Sequence, residues 1–173
     1  EDTVAQLHAN LSEKLRFEII AVDDGSSDQT PQKLASLVEE WPDSFQCQVH
    51  EHNRGYGAAI KTGIGLARGE LIAITDADGT YPLSRMLDLY QEMSPELDMV
   101  VGARTGENVS YPLIRKIPKF FLRRYASYVA AQEIPDINSG MRVFRKAIAQ
   151  RYLNVLPDGL SLKTTITLSL LTN

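Results

Sequence analysis

Leu71-Ile72-Ala73-Ile74-Thr75-Asp76-Ala77-Asp78-Gly79-Thr80-Tyr81-Pro82 runs from unbroken apolarity into two carboxylates and a turn. Continuous rather than alternating apolarity marks a strand covered on both faces, the pattern of parallel sheets. Phe17-Glu18-Ile19-Ile20-Ala21-Val22 and Asp98-Met99-Val100-Val101-Gly102 repeat it, and Phe45 to Val49 reads as a further strand. Helical patterns lie between them, near Thr30 to Glu40, Ala58 to Ala67 and Leu83 to Met93. Ser27 or Asp28 stands ahead of a helix with Pro31 in its first turn, and Ser84 follows Pro82 at the start of another, as helix caps require. Strands alternating with helices predict an α/β fold with a mostly parallel sheet flanked by helices.

The chain has 173 residues, 43% hydrophobic and 23% charged, the composition of one globular domain with its own core. Its first predicted element, near Asp2 to Leu15, is a helix, and its last is the apolar run Leu162 to Leu171. A parallel α/β fold opens with a strand, so the expectation is a single domain over residues 1–173 that lacks its first strand and is truncated at both ends. The net charge of −4 argues against nucleic-acid binding, which calls for a broad basic excess. The single cysteine, Cys47, sits in a predicted strand and reads as core in a reducing, cytoplasmic setting. No run of about 18 apolar residues appears that would span a bilayer.

Ligands of open α/β sheets bind beyond the carboxyl ends of the strands. Two of these strand ends carry acidic clusters, Asp23-Asp24-Gly25-Ser26-Ser27-Asp28 and Asp76-Ala77-Asp78. Gathered carboxylates repel unless a cation or donor groups compensate them. Mg²⁺ takes one or two carboxylates together with substrate phosphates, so Asp76-x-Asp78 is a candidate site for a divalent cation, Mg²⁺ or Mn²⁺. Between the clusters, Asn53-Arg54-Gly55-Tyr56-Gly57-Ala58-Ala59-Ile60-Lys61 is glycine-rich, with Lys61 expected on the first helical turn, where it could meet a phosphate. The same glycines also suit a helix packed tightly on the sheet through Gly57 and Gly63. Ile60 stands where a dinucleotide fingerprint needs its third glycine, and no Gly-Lys-Ser/Thr of a P-loop occurs.

Taken in order, Val22-Asp23-Asp24-Gly25-Ser26, Asn53-Arg54-Gly55, Asp76-Ala77-Asp78-Gly79-Thr80-Tyr81-Pro82 and Asn138-Ser139-Gly140-Met141-Arg142-Val143-Phe144 resemble family 2 glycosyltransferases of the GT-A fold, nearest to the dolichyl- or polyprenyl-phosphate sugar transferases. The resemblance runs from Phe17 to Asn173. It implies that Asp23 and Asp24 meet the nucleotide of a UDP- or GDP-linked sugar, and that Asp76 and Asp78 meet the metal and the sugar diphosphate. It also implies that Arg104 is directed at the donor phosphates, that the loop Asn138, Ser139, Gly140 and Arg142 lines the acceptor side, and that transfer inverts the anomeric centre. Two departures from the family stand out: the strand that supports the nucleotide in relatives precedes this chain's first residue, and Leu162-Lys163-Thr164-Thr165-Ile166-Thr167 lacks the carboxylate that relatives acting on hydroxyls carry.

A sugar hydroxyl needs a base before it can attack, whereas a lipid phosphate is already an anion at neutral pH, so the missing carboxylate fits a polyprenyl-phosphate acceptor, and equally a base that lies beyond Asn173. The metal, Lys61 and Arg104 would then offset charge on the departing nucleoside diphosphate. Arg115, Lys116, Lys119, Arg123 and Arg124, with no acidic residue between Asn108 and Gln132, interleave with aromatic and aliphatic side chains. That pattern over 112–131 suits peripheral contact with an anionic membrane face, and equally a core helix with a basic solvated side. Two other readings stay open: a haloacid-dehalogenase-like phosphatase with Asp76 as nucleophile, and a non-catalytic nucleotide-sugar-binding module.

Overall fold

The structure is a computed structural model that describes residues 2–103, 136–137 and 139–171. Helix α1 (Asp2–Leu11) leads into strand β1 (Ile19–Asp23), helix α2 (Thr30–Glu40), β2 (Phe45–Val49), α3 (Tyr56–Leu66) and β3 (Leu71–Ile74). A 3₁₀ turn (Leu83–Arg85), α4 (Met86–Gln91), β4 (Met99–Val101), β5 (Arg142–Arg145), α5 (Lys146–Tyr152) and α6 (Leu162–Leu171) follow. Strands β1 and β2 pair in parallel, Ile19 against Phe45 through Asp23 against Val49, with α2 as the crossover. Asp28 accepts the first-turn amide of Thr30 at 2.9 Å, and Pro31 in that turn needs no donor.

β5 was not foreseen as a strand. It lies between β3 and β4 and runs antiparallel to both, pairing Leu71 with Arg145, Ile74 with Arg142 and Val101 with Arg142. Its side chains alternate between two cores, as strand geometry dictates. Val143 faces a cluster with Leu7, Leu11, Tyr81, Leu83, Met86 and Met141, so that α1 and the 3₁₀ turn cover one side of the sheet. Phe144 faces Ile64 of α3, Ile74 of β3, Ala149 of α5, Leu156 in the turn after it, and Leu162 and Ile166 of α6. Full burial of a side chain such as Phe144 contributes about 2–3 kcal/mol. A third cluster, Val4, Leu37 and Phe45, closes α1 and α2 over β2, with Cys47 packed at its edge.

The inserted strand decides where the chemistry can lie. Because β5 runs backwards, its start adjoins the carboxyl ends of β3 and β4, so Ser139-Gly140-Met141 enters the same edge of the sheet as Thr75-Asp76. Among the described residues, no helix is long and apolar enough to cross a membrane.

Candidate functional site

At the end of β3 the Asp76 carboxylate meets the ammonium of Lys163, from the first turn of α6, at 3.0 and 3.3 Å to its two oxygens. Gly140 presses against this pair: a Cβ there would sit 2.4 Å from Asp76 Oδ2 and 2.9 Å from Lys163 Nζ. The ammonium also lies 4.5 Å over the centre of the Tyr56 ring, a cation–π geometry. The Tyr56 hydroxyl is buried beside the Asp76 carboxylate, and burial, then the Asp76 charge, pushes its ionisation upward. Asp78, one step along the turn, is exposed and folds back on Thr80, whose amide and hydroxyl both donate to Oδ1, at 3.0 and 2.6 Å. Those two donors, the hydroxyl first, hold its pKa below the usual carboxylate value.

Behind the pair stands Arg142, 1% exposed. Its Nε and Nη2 donate to the Ser139 carbonyl, and its Nη1 donates to the Lys163 carbonyl at 2.9 Å and the Thr167 hydroxyl at 3.2 Å. Burial lowers its pKa, while the nearby Tyr56, Asp136, Tyr81 and Asp76 act in the opposite sense. Ser139 is also fully buried, donating to the Gly102 carbonyl at 2.6 Å, and the Gly140 amide donates to the Tyr81 hydroxyl at 2.6 Å. Thus Gly140 reaches the site, whereas Ser139 and Arg142 form the scaffold that fixes the loop and α6 together.

The other acidic cluster divides its tasks. Asp23 is 5% exposed; one oxygen accepts the amide and hydroxyl of Ser26, and the other is buried with no partner among the described residues. Asp24 grips the glycine-rich segment: Oδ1 accepts from the Arg54 amide at 2.9 Å and pairs with His50 Nδ1 at 2.7 Å, and Oδ2 accepts from the Gly55 amide at 2.7 Å. The His50 contact, first, and the two amides hold its pKa low. Since Gly55 directly precedes Tyr56, whose ring lies under Lys163, this grip connects the two strand ends.

Helix α3 starts at Tyr56, two residues ahead of the expected boundary, so Lys61 falls beyond the first turn and pairs with Asp158 at 2.8 Å. The glycines beside it serve packing. A Cβ on Gly57 would come within 2.1 Å of the Pro157 carbonyl oxygen, and Gly55, at φ +100°, backs on the Asp158 carbonyl. Gly63 faces Val22 of β1 at ordinary contact distance, so the close approach falls at Gly57 and on the Pro157–Asp158 turn rather than on the sheet. Arg104, Asn138 and the basic stretch 112–131 lie outside the described residues.

Reading the sequence overlooked Lys163, Tyr56 and Tyr81. A signal for Lys163 was present, since it is the sole charged residue in Leu162 to Leu171. Among the described residues no three His, Cys, Asp or Glu side chains converge on one point. The donor set of Asp76 and Asp78 nevertheless fits a hard divalent cation that takes its remaining ligands from phosphate and water. Asp76 already holds a positive group between its two oxygens, beside a glycine that leaves room for nothing larger than hydrogen.

Comparison with known proteins bears on this arrangement. A family model described as "Glycosyl transferase family 2" matches residues 1–153. A dolichyl-phosphate beta-glucosyltransferase of Dictyostelium discoideum is 30% identical over 171 residues, covering 90% of this chain and 51% of that protein. A dodecaprenyl-phosphate galacturonate synthase of Rhizobium johnstonii is 28% identical over 137 residues, 79% of this chain and 40% of that one. A mannosyltransferase from Pyrobaculum calidifontis, solved with GDP-Man and Mn²⁺, superposes with a TM-score of 0.58 at 22% identity, covering 95% of this chain and 48% of its own. The chain therefore spans about half the length of these relatives, and the superposition shows the GT-A fold.

Proposed function

The chain belongs to glycosyl transferase family 2, and from that membership we propose that it forms the donor half of an inverting transferase that moves a sugar from a nucleoside diphosphate to a polyprenyl-type lipid phosphate. The observation that carries the reading is the Asp76 carboxylate at the end of β3, flanked by Lys163, Gly140 and the Asp78 turn. Membership in this family leaves the phosphatase reading of Asp76 without support.

In this reading Asp76 and Asp78 hold a divalent cation, whose chemistry is to offset the negative charge on the diphosphate as it leaves. Asp23, with one oxygen that has no partner among the described residues, accepts an N–H of the base; Asp24 shapes the pocket by fixing the Arg54–Gly55 backbone. An acceptor phosphate oxygen forms the new bond to the anomeric carbon. The bond from that carbon to the diphosphate oxygen breaks with its electron pair, and attack from the opposite face inverts the centre. The acceptor is already an anion, so this attack needs no carboxylate base. Relatives whose names specify dolichyl and dodecaprenyl phosphate support this acceptor class.

The test is transfer from radiolabelled UDP- or GDP-sugars to a short-chain polyprenyl phosphate by the full-length protein. Labelled lipid with the wild type and none with Asp78→Ala supports the reading. Nucleotide binding without transfer to any acceptor would favour a non-catalytic binding module. The basic, aromatic stretch 112–131 brings the protein to the lipid-bearing surface in this account, and co-sedimentation with anionic liposomes should fall on charge reversal at Arg123 and Arg124.

A further inference from the structure

We propose that Lys163 is the resident counter-cation of the donor site: it neutralises Asp76 before a donor arrives, and must release that carboxylate before a divalent cation can take it. The inference rests on the reading of Asp76 as a cation ligand. Its consequence is that bare metal is held weakly, and that metal and nucleotide bind as a coupled pair.

Lys163 is no wandering surface charge. Its side chain is 15% exposed, its ammonium straddles both oxygens of Asp76 at 3.0 and 3.3 Å, and the Tyr56 ring supports it from a third direction. Gly140 closes the remaining side so tightly that a methyl group would collide with both partners. The ammonium therefore stands where a cation shared between two carboxylate oxygens would stand. An ammonium and a divalent ion cannot share one carboxylate at this range without strong repulsion.

The backbone of Lys163 is pinned, since its carbonyl accepts from Arg142 Nη1 at 2.9 Å and from the Thr167 hydroxyl at 2.8 Å. Exchange therefore has to occur by rotation of the flexible four-carbon stem, which lysine permits and a rigid guanidinium fork does not. A bare metal ion offers the displaced ammonium no new partner. A nucleoside diphosphate brings several negative charges to the same edge and gives it one, so each ligand strengthens the other by linkage.

Mn²⁺ titration followed by the electron paramagnetic resonance signal of free Mn²⁺, with and without GDP or UDP, reads this directly. Lys163→Gln should bind Mn²⁺ alone about tenfold or more tightly than the wild type, with a smaller gain on adding nucleotide, while Lys163→Arg, whose fork does not swing aside, should bind Mn²⁺ more weakly than the wild type and gain less from nucleotide. Tyr56→Leu, which withdraws the aromatic face under Lys163 together with the hydroxyl beside Asp76, should shift Mn²⁺ affinity in the same direction by less, and serves should Lys163→Gln fail to fold. Equal Mn²⁺ affinity in the wild type and in the folded variants overturns the inference while leaving the metal site standing. No Mn²⁺ binding by any of them, even with both nucleotides, overturns the metal reading and this inference with it.

Discussion

The Asp24 carboxylate and the Gly55 amide, thirty-one residues apart, meet at 2.7 Å and fix the backbone that carries Tyr56 under Lys163. Asp24 thus acts on the Asp76–Lys163 pair through the glycine-rich segment. Its partners favour the charged form, so its folded pKa lies below the ordinary 3.8. A depressed carboxylate pKa contributes stability that is fully present above the unfolded value and is lost as pH falls through the folded one. Asp24→Asn should therefore cost about 1–3 kcal/mol at neutral pH. It should also flatten the loss of stability on acidification below about pH 4. Urea unfolding at a series of pH values checks both.

Gly57→Ala drives a methyl group into the Pro157 carbonyl, where backbone rather than a yielding side chain stands in the way. The expected loss is about 1–3 kcal/mol despite alanine's better helix propensity. Gly65→Ala, on the same helix and with no atom within 4 Å of the added carbon, is the control and should be neutral or stabilising. Thermal unfolding of the two variants separates packing from propensity.

Arg142→Met removes a buried guanidinium, takes away the two donors to the Ser139 carbonyl and leaves the Lys163 carbonyl with the Thr167 hydroxyl but not the guanidinium. A loss of about 3 kcal/mol is expected, with little rescue by Arg142→Lys, whose compact ammonium cannot reproduce the fork. Denaturant midpoints measure it. An exposed acceptor-side arginine would instead show unchanged stability.

Gly140→Ala should act on the Asp76–Lys163 pair itself, since its Cβ would enter the space between them. Nucleotide affinity should drop by tenfold or more, while circular dichroism and the unfolding midpoint move much less, about 1 kcal/mol.

Much of the layer order was legible because burial leaves a period in sequence. Thr30–Glu40, Phe45–Val49 and Leu162–Leu171 match their expected bounds, and Leu71–Ile74 and Met99–Val101 fall within theirs. β5 escaped notice because its four residues, Arg-Val-Phe-Arg, place charge at both ends, and it becomes a strand only through Ile74 and Val101 on either side. The acidic strand ends announced the site's carboxylates. Their roles could not be read in the same way, because Asp23 and Asp24 look alike in sequence while one has an oxygen with no partner among the described residues and the other is saturated by backbone amides. Lys61 stood out in sequence beside the glycines, whereas Lys163 did not, for a similar reason. Only the turn at Pro157-Asp158-Gly159 takes Lys61 into an ion pair of its own and leaves Lys163 for Asp76.

The most direct test of the central claim is calorimetric titration of the protein with UDP and GDP, each with and without Mn²⁺, for the wild type and Asp78→Ala. The account predicts that one nucleotide binds in a Mn²⁺-dependent manner and that Asp78→Ala abolishes the dependence. Binding that is indifferent to Mn²⁺ and to Asp78, or no nucleotide binding by the full-length protein, would contradict it.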